Sequence, residues 1–357
     1  SFSCIIGDKD IINMARYSRR GDLLSMGGLK MEDRFGRRID YLRISITDRC
    51  NLRCLYCMPA RGIASRPRDE ILSMEEILRA ADTALQLGIN RFRLTGGEPL
   101  LRKGILPFIS ALSSRPGAED IAVTTNGVLL PQMAEGLRDA GVQRLNISLD
   151  TLDEEKYSYI TRGGDFQQVW NGVQQALQLG FDPVKINTVA LRGFNDSEAV
   201  GFARLTLQYP LHVRFIELMP IGAGWEMESG AFISCAELKN EIEKALGEMQ
   251  PLNNAIRGSG PAENYALSGA KGSIGFIHAM SEHFCSDCNR LRLTADGKLR
   301  PCLHDRHEVN LRDPLRSGAS DEQLRQLFQS AVSLKPQNHY LATGAPATGR
   351  GMCQIGG

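Results

Sequence analysis

Short apolar runs rich in β-forming residues recur along the chain, separated by longer stretches in which apolar positions follow the helical period. The runs are YLRISIT (41–47), RFRLT (91–95), DIAVTT (120–125), QRLNISL (143–149), VKINTVAL (184–191) and HVRFIEL (212–218). Between the first two, SMEEILRAADTALQLG places Ser73 where an N-cap belongs and Gly88 where a C-cap belongs. Strands alternating with helices predict βαβ units and a parallel sheet. Six units fall short of the eight that close a barrel. The expected fold is therefore α/β, a partial (βα)6 TIM-type barrel with ligands at the carboxyl ends of its strands.

From about residue 222 the pattern breaks down into the Gly-rich, irregular segments GAGWEMESG and RGSGPAENYALSGAKGSIG. Three parts are expected: an N-terminal extension over 1–32 without fixed structure, the barrel over 33–221, and a smaller C-terminal α+β domain over 222–357. The tail from Lys335, which contains Gly and Pro and ends in CQIGG, has the composition of a flexible segment.

A chain of 357 residues has room for such a pair of domains. With 42 Lys and Arg against 41 Asp and Glu, no global field favours nucleic acid or an anionic membrane, so any anion site must be local. No run of 18 apolar residues occurs, and the opening segment lacks the apolar core of a secretory signal. Arg16, Arg19 and Arg20 there are accompanied by Asp8 and Asp10, whereas organellar transit peptides are poor in acids. A soluble, intracellular protein is expected. Six of the nine cysteines fall in two tight groups, which favours metal binding over a disulfide framework.

The first group, CNLRCLYC, sets Cys50, Cys54 and Cys57 in a C-x3-C-x2-C arrangement just after the first strand. Three thiolates can hold three irons of a 4Fe-4S cube and leave the fourth open to chemistry. A closed zinc site would want a fourth ligand nearby, and no histidine precedes His212. TGGEP closes the second strand; its glycines permit close approach of backbone, and Glu98 could pair with an ammonium group. The second group, Cys285, Cys288 and Cys302, is spaced C-x2-C-x13-C. Here zinc with His283 or His304 as fourth ligand competes with a second open cube. Arg290 and Arg292 alternate in RLRL and so share one strand face, where they could meet an anion. Arg43, Arg93, Lys185 and Arg214 are further cations in or near strands. Gathered at one mouth they would suit a polyanion such as a triphosphate.

The cysteine triad with Tyr56 before its last cysteine, followed by TGGEP, resembles the radical S-adenosylmethionine (SAM) superfamily. Together with NISLD, RFIELMP, CNRLRLTADGKLRPC and the final Gly-Gly, it resembles more narrowly the MoaA family, the GTP 3′,8-cyclases of molybdenum cofactor biosynthesis, from about Asp33 to Gly357. That resemblance implies two 4Fe-4S clusters, on Cys50, Cys54 and Cys57 and on Cys285, Cys288 and Cys302, with the second in the C-terminal iron-sulfur domain. SAM would be bound at Tyr56, Gly97, Glu98, Ser148 and Met219. GTP would be bound at Arg43, Arg93, Thr124, Lys185, Arg290, the main chain of Leu291, and Arg292, with Arg214 as an additional cation. Gly356 and Gly357 match an end that reaches the active site. No catalytic side chain is assigned, and Cys4, Cys235 and Cys353 match no ligand position.

The implied reaction is a lyase chemistry: a deoxyadenosyl radical takes the 3′ hydrogen of GTP, and the ribose carbon bonds to C8 of guanine. Implied partners are GTP, an electron donor and, downstream, a cyclic pyranopterin monophosphate synthase. Neither nucleic acid nor a membrane is expected, and a homodimer stays open. The setting would be the mitochondrial matrix in a eukaryote and the cytoplasm otherwise. The alternative is another two-cluster radical SAM enzyme acting on a peptide or a different nucleotide, whose auxiliary domain would usually carry more cysteines.

Overall fold

A computed structural model describes residues 30–64, 66–225, 229–253, 256–258, 260–282, 284–339 and 350–356. Most of the 1–32 extension, with Cys4, and also His283 and Gly357 lie outside the described residues.

The six runs form strands whose ends differ from expectation by two residues at most: β1 Tyr41–Ser45, β2 Arg91–Thr95, β3 Asp120–Thr125, β4 Arg144–Ser148, β5 Val184–Ala190 and β6 Leu211–Glu217. Helices follow them: α1 Met74–Gln86, α2 Ile105–Ser113, α3 Leu130–Asp139, α4 Glu154–Thr161, α5 Phe166–Gln178 and α6 Ala199–Gln208. The start of α1 is a capping box, with Ser73 Oγ accepting from Glu76 N (3.1 Å) and Glu76 Oε2 accepting from Ser73 N (2.7 Å). It ends where Gly88 takes φ 81°, a conformation that costs glycine little.

The remaining elements are α7 Cys235–Leu246, β7 Gln250–Pro251, β8 Glu263–Ala266, β9 Ser273–Ile277, β10 Arg290–Leu293, β11 Lys298–Arg300, β12 Val309–Asn310, α8 Arg312–Arg316 and α9 Asp321–Ser333. All strands join one open sheet, in the order β12-β11-β10-β1-β2-β3-β4-β5-β6-β9-β8-β7. The C-terminal residues thus extend both edges of the barrel sheet: β10 lies parallel to β1 and β9 parallel to β6, with antiparallel strands beyond each. No helix among the described residues is long and apolar enough to cross a membrane.

Because strand side chains alternate between faces, the sheet has two distinct surfaces. Leu42, Ile44, Phe92, Leu94, Ile121, Val123, Leu145, Ile147, Ile186, Val213 and Phe215 pack with the helices into one core. The alternate positions, turned to the concave side, include Arg43, Arg93, Thr124, Asn146, Lys185, Asn187 and Arg214. A closed barrel usually fills that interior with Val, Ile and Leu. Here it is polar and cationic.

The tail departs from its composition. Lys335 and His339 are buried, as are Cys353 and Ile355, and Arg350 clamps the end of the chain through Asp296 (2.9 and 3.0 Å) and Glu308 (2.8 Å). Glycine and proline weaken local structure, but ion pairs and packing against the sheet override them in 335–339 and 350–356.

Candidate active site

Both cysteine triads open onto one cavity at the carboxyl ends of the strands, with about 1970 Å³ of atom-free space including its mouth.

The first triad lies on the loop after β1. Backbone bonds from Cys57 N and Met58 N to Cys54 O fold the loop (3.0 and 3.1 Å), while Arg53 holds Cys50 O (2.7 Å) and Arg162 holds Arg53 O and Met58 O (2.7 and 2.9 Å). The Gly96–Gly97 turn presses on the same loop: Gly97 N donates to Thr47 O (2.8 Å) and Glu98 N to Arg49 O (2.7 Å). A Cβ on Gly97 would lie 2.2 Å from Arg49 O, so no other residue fits without moving the cysteine loop. These glycines therefore serve the approach of two protein segments, while Gly97 still lines the cavity.

Glu98 sits behind that wall, fully buried. Its carboxylate accepts from Leu100 N (3.0 Å), Thr125 Oγ1 (2.9 Å) and Asn126 N (2.7 Å), tying the end of β2 to the end of β3. Burial pushes it up to about 7 against these bonds. Tyr56, Ser148 and Met219 line the cavity, and Tyr56 donates to Asp150 Oδ2 (2.7 Å). Burial lifts Asp150 to about 6. Cys353 is buried on the same wall in hydrogen-bond contact with Cys57.

Four ligands around one zinc ion at about 2.3 Å stand roughly 4 Å apart, and neither triad is among the groups of described residues whose ligand atoms all lie within 4.8 Å of one another. Three thiols beside an open cavity are also what a cube with one unliganded iron requires. The triad Cys285, Cys288 and Cys302 faces the first across the cavity, with Phe284, His304 and His339 beside it. Rings of His304 and His339 meet edge-on at 4.8 Å between centroids. Burial would raise the Cys288 thiol, but Arg290 and Lys335 outweigh it and bring it down to about 6.

Strand register gathers the cations. Arg43 pairs with Arg292 on one side and with Arg93 on the other, which sets three guanidinium groups abreast on adjacent parallel strands. Like charges so placed repel. Arg214 lines the same cavity, and Arg290 enters it over the ring of Phe284. Among the described residues, no carboxylate forms a salt bridge with Arg93, Lys185, Arg214, Arg290 or Arg292, whereas Arg144 is held by Asp120. Burial and then neighbouring cations lower Arg214 to about 9 and Arg292 to about 10.

Lys185 is the exception to the gathering. Its ammonium lies below the cavity wall, donating to Arg257 O (2.7 Å), and burial followed by Arg214, Arg144 and Arg93 lowers it to about 5. Leu291 is buried between its two arginines and also stands off the wall. Thr124 is on the wall with a buried hydroxyl that has no partner among the described residues. The tail enters here too: Arg292 donates to Gly356 O (2.8 Å).

Sequence reasoning missed Tyr41, Asn126, Asp150, Asn187, Lys335 and His339, all cavity-lining. The alternation of β5 could have yielded Asn187, two residues from Lys185. Lys335 and His339 carry no local signal, since their role depends on where the tail packs.

The family model described as Radical SAM superfamily matches residues 44–206, and that described as Molybdenum Cofactor Synthesis C matches residues 211–341. A GTP 3′,8-cyclase of Pelotomaculum thermopropionicum is 51% identical over 327 residues, covering 92% of this chain and 100% of the relative. That of Heliobacterium modesticaldum is 52% identical over 331 residues with the same coverage. Among solved structures, Streptococcus suis SuiB bound to S-adenosylmethionine superposes with TM-score 0.56 over 82% of this chain and 68% of that one, at 14% identity, a likeness of fold alone.

Proposed function

The chain belongs to the GTP 3′,8-cyclase family of the radical SAM superfamily, and from that premise we propose that it cyclises GTP to (8S)-3′,8-cyclo-7,8-dihydroguanosine 5′-triphosphate, the first step of molybdenum cofactor biosynthesis. The observation that carries the substrate is the row Arg292, Arg43, Arg93 with Arg214 near it; Arg93, Arg214 and Arg292 are buried and face open space with no carboxylate salt bridge among the described residues. Burying such charge is costly. A triphosphate offsets it and presents oxygens that guanidinium groups grip in pairs.

In this reading Cys50, Cys54 and Cys57 hold a 4Fe-4S cluster with one iron left for SAM, and Cys285, Cys288 and Cys302 hold a second cluster beside the guanine. When bound, the first cluster and SAM supply a one-electron carbon–sulfur cleavage that yields a hydrogen-abstracting primary radical. The protein's residues do the positioning. Tyr56, Ser148, Met219 and the Gly97 turn shape the SAM side, with Glu98 holding that turn from behind. Arg43, Arg93, Arg290, Arg292 and Thr124 grip GTP, the Leu291 main chain keeps the two arginines of β10 aimed, and Lys185, which burial holds neutral in the free fold, would take up a proton beneath the bound phosphates. Because the nearest C–H bond would be the one attacked, the residues that place the ribose 3′ carbon would be the source of selectivity. An external donor would supply two electrons, one for that cleavage and one, with a proton, to quench the radical left on the purine when the ring closes, and a cyclic pyranopterin monophosphate synthase would consume the product.

The test is anaerobic incubation with SAM, reductant and either GTP or ATP, followed by chromatography and mass analysis. Deoxyadenosine together with a nucleotide isomeric with GTP is expected from GTP alone. Deoxyadenosine with no altered nucleotide would defeat the substrate assignment, and a peptide-modifying reading would then regain ground.

A further inference from the structure

Lys335 is 2% exposed, and all three donors of its ammonium are used: Cys288 Sγ at 3.3 Å, Arg290 O at 2.8 Å and Pro301 O at 2.9 Å. No carboxylate forms a salt bridge with it among the described residues. Hydrogen bonds offset the burial of such a group, and one of the three runs to the Cys288 sulfur. The two carbonyls belong to the arms that carry the triad, one two residues after Cys288 and the other just before Cys302. The third arm is tied to the same stretch of tail. Arg37, fixed by Asp33 (2.6 Å), donates to Cys285 O (2.7 Å), Pro336 O (2.7 Å) and Gln337 O (3.1 Å). Residues 335–337 thus form a strap to which every arm of the second triad is fastened.

Among the described residues the first triad has nothing equivalent. Arg53 and Arg162 bind carbonyls of its loop, and the donors that reach its Cys50 sulfur are neutral: Leu52 N at 3.4 Å and Asn126 Nδ2 at 3.8 Å.

We infer that Lys335 is the positioning residue of the second cluster: it fixes the spacing of Cys288 and Cys302 and places one positive charge against a ligand sulfur, which favours the more reduced, more negative state of that cluster. This rests on the two-cluster reading above. Net charge and hydrogen bonds at the sulfurs are among the determinants of cluster potential, and partners of metal ligands are worth about 10–100-fold in metal retention.

The experiment compares anaerobically reconstituted wild type, Lys335→Met and Lys335→Arg. Each is examined by iron analysis, EPR-monitored redox titration and loss of iron to a chelator. Wild type should hold about eight irons as two clusters. In Lys335→Met the midpoint potential of the second cluster should move to more negative values, and its iron should be lost about tenfold faster or more. The first cluster should be unchanged, which also reports a folded protein. Lys335→Arg should restore most of both properties. An unshifted potential with unchanged iron loss in Lys335→Met would overturn the inference, as would an arginine variant that behaves like the methionine one. Wild type holding about four irons in one cluster would overturn the two-cluster reading itself, and this inference with it.

Discussion

The two cysteine triads face one cavity with the same number of sulfurs, yet their surroundings differ in charge. Around the first lie two buried carboxyl groups, Glu98 and Asp150, held up at about 7 and about 6 by burial. Burial and these acids raise Cys50 and Cys54 above the ordinary thiol range. Around the second stand Arg290 and Lys335, which overcome burial at Cys288 and bring it down to about 6, while burial still raises Cys285. The difference matches the ligands proposed for each side. SAM carries a sulfonium and an ammonium, which carboxyl groups favour; GTP brings phosphates, which the cations of β10, β1 and β2 favour. In the proposed reading each triad keeps a corner open, and the charge around it suits the ligand proposed there.

The largest effect should come from removing one triad at a time. Cys54→Ala should abolish deoxyadenosine formation and leave about four irons of the expected eight, with the second cluster's signal retained. Cys302→Ala should leave about the same iron but the opposite outcome, reductive cleavage of SAM persisting without a cyclised nucleotide. Anaerobic turnover with product analysis distinguishes them. If both variants cleaved SAM, or neither did, the division of labour drawn from their surroundings would fail.

Next in size is the anion side alone. Arg93 is buried, has no carboxylate salt bridge among the described residues and lies abreast of Arg43. A hydrogen bond to a charged group contributes about 1.5–3 kcal/mol, so Arg93→Ala should weaken GTP binding about 10- to 100-fold. SAM affinity and iron content should stay put. Anaerobic calorimetry measures both ligands on one preparation, and an equal loss for SAM and GTP would mean that the charge segregation is not functional.

How much of this was legible beforehand depends on the range over which each feature is encoded. The six barrel strands and the Ser73 cap are local patterns, and the sequence carries them openly. So does the pairing of Arg290 with Arg292, because period two puts them on one face. That β10 lies beside β1, and so sets Arg292 next to Arg43, is a contact between residues about 250 positions apart, which alternation along one strand cannot encode. Glu98 was expected to meet a ligand, but it spends its oxygens on the β3 turn. The tail was misjudged for the same reason in reverse: Lys335 and Arg350 are ordered by partners that composition cannot reveal.

A smaller effect probes the charge excess without ligand. Lys185 titrates at about 5 in the fold against an ordinary value of 10.5, so between those values the unfolded chain binds more protons and stability rises with pH. The rise is fully developed only above the unfolded value and is absent below about 5. Lys185→Met should flatten the dependence of the anaerobic melting midpoint on pH between about pH 6 and about pH 9, and should raise that midpoint most at the acid end. Parallel curves for wild type and variant would show that Lys185 keeps its proton in the fold.

The smallest effect sharpens the comparison most. Asn126 is the first triad's counterpart to Lys335, since its side-chain amide approaches Cys50 Sγ at 3.8 Å while also donating to Asn51 Oδ1 at 2.8 Å. It is neutral, longer by half an ångström than the Lys335 contact at 3.3 Å, and shared with a second acceptor. Loss of a donor to a ligand sulfur lowers a cluster's potential, so Asn126→Ala should move the first cluster in the same direction as Lys335→Met moves the second, but by clearly less. Glu98 keeps its bond from the Asn126 backbone, which the substitution leaves in place. EPR-monitored titration of the two variants side by side gives the ratio. If the alanine shift equals or exceeds the methionine one, formal charge is not what distinguishes the two triads, and donor count or solvent access must be.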